Sequence, residues 1–315
     1  MKKIISLIIA LMMVASMSLV LTACGEKESS PETVTDYTYE LGEDVPNYTL
    51  KGEWIPVEEA ESEYYTALGT YTYAGDVADL EGIKTVGVYE MERRDATLAE
   101  AAKAILKFDA PEQAEDIQIV ESDKWEEEGD YHFAHFTTFD EETYGEPMYC
   151  SSYIFESGDK IIQYCYWAVT EKVVIDDVLS MYMPYNFEKE ECDVPELEDT
   201  YLVGYESPTE EFANVGFFKW DGEESVKDYI DKYRESYDLI DAAEYRTALG
   251  ESDTEYDCAY VKFKENLGDD SYLNVDYITK IGDTFFEINF FQDADEEEYQ
   301  ISSYGAMLWA LTETE

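Results

Sequence analysis

Apolar and polar residues alternate along much of this chain, and at two matching points the alternation gives way to a helical period. Thr85-Val86-Gly87-Val88-Tyr89 reads as a strand, and so does Asn214-Val215-Gly216-Phe217-Phe218. Each leads through a short polar stretch into an amphipathic segment. The first segment opens on Thr97-Leu98-Ala99-Glu100, the capping-box pattern in which threonine and glutamate satisfy each other's backbone donors, and carries its apolar stripe on Leu98, Ala101, Ala102, Ile105 and Phe108. The second opens at Ser225 and places Val226, Tyr229, Ile230, Tyr233 and Tyr237 on one face.

The parallel continues downstream. Tyr131 to Phe136 and Tyr256 to Val261 predict matching strands, each followed by a hairpin. The first hairpin runs Met148 to Phe155, turns at Glu156-Ser157-Gly158-Asp159 and returns from Lys160 to Val169. The second runs Tyr272 to Thr279, turns at Lys280-Ile281-Gly282-Asp283 and returns through Thr284 to Phe291. Gly at the same turn position in both is the residue that a positive φ requires. A closing helix is expected in each copy, over 172–182 with Val174, Val178, Met181 and Tyr182 inward, and over 298–311 with Ile301, Tyr304, Leu308 and Leu311 inward.

These patterns predict an α+β protein of two tandem α/β/α sandwich repeats, each a mainly antiparallel sheet flanked by helices. The first repeat spans 37–187 and includes an N-terminal strand extension; the second spans 199–315. The acidic, proline-containing linker 188–198 separates them, and few contacts are expected to cross it. In element order the repeats resemble the PsbP-like fold, over roughly Tyr65 to Phe187 and Tyr201 to Leu311. That resemblance implies a sandwich used for binding or assembly rather than for catalysis.

The N-terminus has a different pattern. Lys2 and Lys3 precede an apolar run from Ile4 to Leu21, the layout of a secretory signal. The run ends in Leu21-Thr22-Ala23-Cys24-Gly25, which resembles the bacterial lipobox. The resemblance implies cleavage before Cys24 and attachment of diacylglycerol to it, and two acyl chains suffice for stable anchoring. The alternative is an uncleaved membrane helix. Residues 1–23 are then a lipoprotein signal peptide and 24–36 an acidic flexible tether. The expected location is the outer face of the cytoplasmic membrane, on the extracellular side.

Composition adds two constraints. The chain is 45% hydrophobic, with 28 tyrosines, which is ample material for packed cores. The 74 acidic and 21 basic residues give a net charge of −53, which becomes −55 once Lys2 and Lys3 leave with the signal. Such a surface repels a phosphate backbone, which excludes nucleic acid as a partner, and it repels anionic headgroups as well, leaving membrane attachment to the lipid.

Candidate chemistry is sparse. The sequence contains no Gly-x-Ser-x-Gly elbow, no phosphate-binding Gly-rich loop and no His-Glu-x-x-His. The two histidines, His132 and His135, are three apart on a predicted strand and so point to opposite faces. A four-residue loop in the first hairpin sets Cys150 directly opposite Cys165. This predicts a disulfide at a cross-strand Cβ spacing of about 4.5–5.5 Å, somewhat strained, with two reduced thiols as the alternative. Cys192 and Cys258 have no such register argument. The same count in the second hairpin puts Tyr277, Val275 and Leu273 with Phe286, Ile288 and Phe290 on a core face. It sets Asp276 opposite Glu287 on the other face, beside Asn274 and Asn289. That oxygen-rich face is either solvated or a holder for a hard cation such as calcium; no other cofactor is expected.

The expected function is a non-catalytic binding or assembly module that presents two sandwich domains to a protein or cell-wall partner. The alternative is an extracellular hydrolase of cell wall or glycan with an Asp/Glu acid–base pair.

Overall fold

The computed structural model describes residues 33–314 except for 42–44, 59–61, 63, 81, 124–130, 142–144, 186, 191–196, 198, 208–212, 249–254, 268–269 and 295–301. The signal peptide, Cys24 with most of the tether, and Cys192 lie outside the described residues.

Two antiparallel sheets make up the molecule. The first is built from β1 (Val34–Tyr39), β2 (Tyr48–Pro56), β3 (Thr66–Tyr73), β4 (Ile83–Glu92), β5 (Val120–Ser122), β6 (Phe133–Asp140), β7 (Met148–Ser157), β8 (Lys160–Val174) and β9 (Leu179–Pro184), with helix α1 (Leu98–Asp109) between β4 and β5. The second contains β10 (Glu188–Glu190), β11 (Tyr201–Glu206), β12 (Asn214–Asp221), β13 (Leu239–Ala248), β14 (Glu255–Leu267), β15 (Asp270–Ile281) and β16 (Thr284–Asp293), with helix α2 (Val226–Ser236) between β12 and β13. Helix α3 (Ser302–Trp309) and β17 (Leu311–Glu313) follow. The strand orders are β1-β2-β3-β4-β8-β7-β6-β5 and β10-β11-β12-β16-β15-β14-β13. From β3 and from β11 onward the two orders coincide, with a helix after the second strand of each series.

The capping box predicted at Thr97 forms, and the structure adds a second one at Ser225. Thr97 Oγ1 accepts from the Glu100 N–H and Ser225 Oγ from the Asp228 N–H, while each acidic side chain returns to the cap backbone. Helix α1 buries Leu98, Ala102, Ile105 and Leu106 but leaves Phe108 57% exposed, so its inward stripe is rotated from the expected one.

The expected α/β/α sandwiches are not formed; this is a β-rich protein of two sheets. The segment 172–182, read as a closing helix, instead continues β8 to Val174 and returns as β9. Its β-branched run Val173-Val174-Ile175 suits an extended chain. The reversal is held by Asp176, whose Oδ1 accepts from the backbone N–H groups of Val178 and Leu179 at 2.8 Å each. Thr170 to Val174 then pair with Pro184 to Ser180. Edge strand β13, absent from the sequence reading, pairs with β14.

Helices α1 and α2 each cover one face of one sheet. Helix α1 packs on Ala134, Phe136, Ile154 and Ile161, and α2 packs on Ala259, Val261, Ile278 and Phe285. On the opposite faces the two sheets share a core. Phe139, Tyr149, Met181 and Met183 of the first cluster with Val215, Phe217, Val275, Ile288 and Phe290 of the second. Helix α3 enters the same core: Tyr304 stacks on Phe290 with ring centroids 4.7 Å apart. Trp309 Nε1 donates to Asp116 Oδ2 at 3.1 Å. Strand β17 pairs with β9, which stitches the chain's last strand to the first sheet. The expectation that few contacts cross between the copies therefore fails: the apolar faces of the two sheets turned away from α1 and α2 pack on each other and on α3, the closing helix expected over 298–311 and found at Ser302–Trp309. The extra strands β1 and β2 cover the rest of the first sheet's face with Tyr39, Leu50 and Trp54.

Both hairpins turn on two residues, Gly158-Asp159 and Gly282-Asp283, rather than four. Their glycines have φ +62° and +64° and the following aspartates are not left-handed, the geometry of a two-residue turn matched to strand twist. Register therefore moves by two residues from the expected one. Ser152, not Cys150, faces Cys165, and Asn289, not Glu287, faces Asp276. A shift of two leaves every side chain on its expected face.

Candidate functional site

With Gly158 aligned on Gly282, the two hairpins place polar residues at matching positions on their helix-covered faces. In the first sheet these are Cys150, Ser152, Gln163 and Cys165; in the second they are Asn274, Asp276, Glu287 and Asn289. The adjoining strand contributes Gly87 opposite Cys165 and Gly216 opposite Asn289. Each cluster lies next to the apolar contact of its helix, on rigid central strands.

The first cluster is neutral apart from one carboxylate. Gln163 Nε2 donates to Ser152 Oγ at 3.2 Å and to Asp109 Oδ2, at the end of α1, at 3.3 Å. Crowding between helix and sheet pushes the Asp109 carboxyl up to about 6, although the residue keeps solvent contact on its outer side. Ser152 Oγ lies 3.5 Å from Cys165 Sγ and 3.9 Å from Cys150 Sγ, so the serine sits between the two thiols. Cys150 and Cys165 are diagonal neighbours and free thiols in the structure, and burial, reinforced by Cys150, holds the Cys165 thiol well above its ordinary pKa. Cys258 is buried in the second sheet, its Sγ 3.5 Å from Thr279 Oγ1.

The second cluster concentrates charge. Asp276 is 1% exposed, and Glu287 keeps partial solvent contact. Asn289 Nδ2 donates to Asp276 Oδ1 at 2.6 Å and to Asn274 Oδ1 at 3.2 Å. From the helix, Tyr233 donates its hydroxyl to Glu287 Oε2 at 3.3 Å, and one turn on, Tyr237 reaches Glu265 Oε1 at 3.4 Å. Burial pushes the Asp276 carboxyl up to about 6, against the lowering pull of Tyr233 and Asn289. Burial, with Asp276 alongside, raises Glu287 well above the usual carboxylate range. Two carboxyls so placed resist double ionisation and share protons unless a cation joins them. The face read as solvated is thus roofed by α2, which sequence alternation could not report.

The histidines are separated as expected. His135 is fully buried against Tyr153, whereas His132 is exposed and pairs with Asp123 Oδ1 at 2.7 Å and Glu121 Oε2 at 3.2 Å. The sequence reading missed Asp109, Ser152, Gln163 and Tyr233 as members of these clusters. Superposing the two hairpins on their turn glycines would have found the sheet residues.

No protein-family description matches the chain, and no curated protein matches it. Solved structures do match it. One is a 1.50 Å crystal structure from Bacteroides thetaiotaomicron VPI-5482, 15% identical, covering 44% of this chain and 45% of that one at a TM-score of 0.30. Another is the solution structure of cyanobacterial PsbP (CyanoP) from Synechocystis sp. PCC 6803, 9% identical, covering 46% of this chain and 92% of that one at a TM-score of 0.34. The chain spans under half the length of the Bacteroides protein. At such identities and scores neither neighbour bears on function.

Proposed function

We propose that this chain is a lipid-anchored extracytoplasmic protein that works as a non-catalytic binding or assembly module. It hangs from the outer face of the cytoplasmic membrane by diacylglycerol on Cys24 and engages a protein or cell-wall partner; the acidic surface rejects nucleic acid. The observation that carries this reading is the pair of sheets with one strand order fused through one core, which supports a tandem duplication whose copies act as a single rigid body. A rigid body with two related outer faces presents a fixed surface to a partner, whereas substrate capture by closure needs a hinge. Among the described residues no helix is long and apolar enough to cross a membrane; the anchor is argued from the lipobox sequence.

A second reading, an extracellular hydrolase of wall or glycan, has Asp276 and Glu287 as its acid–base pair, since both are raised towards the range useful for proton transfer. Against it stands α2, which covers the pair where a polymer would have to enter.

The test is a pull-down of the lipid-free protein from Gly25 onward against solubilised membranes and purified cell wall. Specific retention of one protein or polymer is the expected result. Cleavage products without retention, abolished in Asp276→Asn, would move the assignment to the hydrolase.

A further inference from the structure

The two sheets end differently. Strand β13 closes the second sheet and pairs with β14 along one side only; among the described residues no strand lies along its other side, which leaves a row of backbone N–H and C=O groups open to pairing. At ten residues it is the longest edge strand among the described residues, an open edge of about 30 Å. At the matching end of the first sheet stands β5, three residues long. The long edge is therefore peculiar to the second copy and is not required by the shared strand order.

The side chains of β13 state what would pair there. The register shift that interrupts it is confined to its start, between Leu239 and Asp241, and Ala242 to Ala248 then pair regularly with Val261 to Glu255. At the middle, Ala242 and Ala243 are too small to shield the backbone. Ala242 packs towards α2, so alternation puts Glu244 on that face and Asp241 with Ala243 on the other. Both acids are exposed, and among the described residues neither is in an ion pair. The strand's one cation, Arg246, is already held by Asp257 at 3.1 Å and Glu255 at 3.7 Å. An incoming strand thus meets an unshielded backbone with one carboxylate on each face.

We infer that β13 is a docking edge for an extended cationic segment of a partner protein, which adds a strand to the second sheet and sets Lys or Arg opposite Asp241 and Glu244. Backbone pairing supplies the affinity, and the two charge pairs, three residues apart and on opposite faces, supply the selectivity. The net charge of −53 favours a basic partner and opposes a second copy of this chain on the same edge. The inference rests on the reading of the chain as a binding module and specifies the chemistry of its partner.

The test uses the chain from Gly25 onward and a blocked peptide as long as β13, built of threonine and valine with two lysines three residues apart. Binding is measured at roughly 0.15 M salt, where diffuse attraction to the acidic surface is largely screened. Saturable binding is expected, with slower hydrogen exchange of the β13 amides at saturation. Asp241→Lys combined with Glu244→Lys should weaken binding at least tenfold and should instead take up the peptide with glutamates in place of its lysines. Glu53→Lys combined with Glu58→Lys makes the same change of net charge in the first copy, and should leave binding nearly unchanged. Melting curves confirm that both double variants fold. Absence of saturable binding, equal losses in the two double variants, or unprotected β13 amides overturns the inference. So does self-association in sedimentation with β13 protected in the absence of peptide, which assigns the edge to a second copy. Any of these results leaves the binding-module reading standing where the pull-down still retains a partner, whereas a pull-down that retains nothing removes that reading by itself.

Discussion

The two helix-covered faces are built on the same strand order and the same turn, yet they hold opposite chemistry. Under α1, Cys150, Ser152, Gln163 and Cys165 are neutral, and the one carboxylate, Asp109, reaches in from the helix end. Under α2, the matching sheet positions are Asn274, Asp276, Glu287 and Asn289, and the helix answers with the hydroxyl of Tyr233. One backbone thus tolerates either a small neutral network or a pair of acids at the same point. The difference lies in what must neutralise the site: hydrogen bonds suffice for the first, whereas the second needs protons or a cation.

The largest effect expected from breaking this arrangement lies on the other face, where the units meet. Phe290→Ala removes a fully buried ring stacked on Tyr304 and should cost about 3–5 kcal/mol. Because the core is common to both sheets, one cooperative transition should move to lower temperature in calorimetry; two separate transitions would show that the sheets unfold independently.

Next comes the acid pair itself. A carboxyl whose folded pKa lies above its unfolded value stabilises the protein at low pH and loses that contribution as pH rises through the folded pKa. For Asp276, raised to about 6, the loss begins near pH 4 and is complete above the folded value; Glu287 carries the same sign to higher pH. In chelator, Asp276→Asn should therefore stabilise the protein at pH 7 by roughly 2–3 kcal/mol and flatten its urea midpoint between about pH 4 and 7. An unchanged pH profile would mean that the pair is already neutralised by other groups.

The smallest effects test how alike the two copies are. Gly158→Ala and Gly282→Ala add a Cβ into open space at positive φ, so each should cost only backbone strain, about 1 kcal/mol. Equal losses at the two turns, read from urea midpoints, are expected. A twofold disparity would show that one hairpin is held mainly by its surroundings.

Much of this was legible in the residues. Thr97 with Glu100 announced the first helix start and Ser225 the second, and the alternation around Leu273, Val275 and Phe290 picked out the inner face. Other features were not legible. The segment 172–182 has inward apolar spacing that suits a helix, and only the turn held by Asp176, with β17 waiting as a partner for β9, makes it two strands. The expected opposition of Cys150 and Cys165 depended on loop length, and a two-residue turn moved the register by one pleat.

Taken alone, the sequence determined which residues share a face, where both helices begin and where both hairpins turn, because these follow from periods of two and 3.6 residues and from local capping and φ preferences. Tertiary structure decided what covers each face. Asp276 and Glu287 read as solvent-facing by alternation, and their burial comes from a helix some fifty residues earlier in the chain. It also fused two expected domains into one core. Alternation specifies that a face is apolar, but the partner that buries it is chosen by chain-wide packing, since hydrophobic burial is proportional to area and carries no direction.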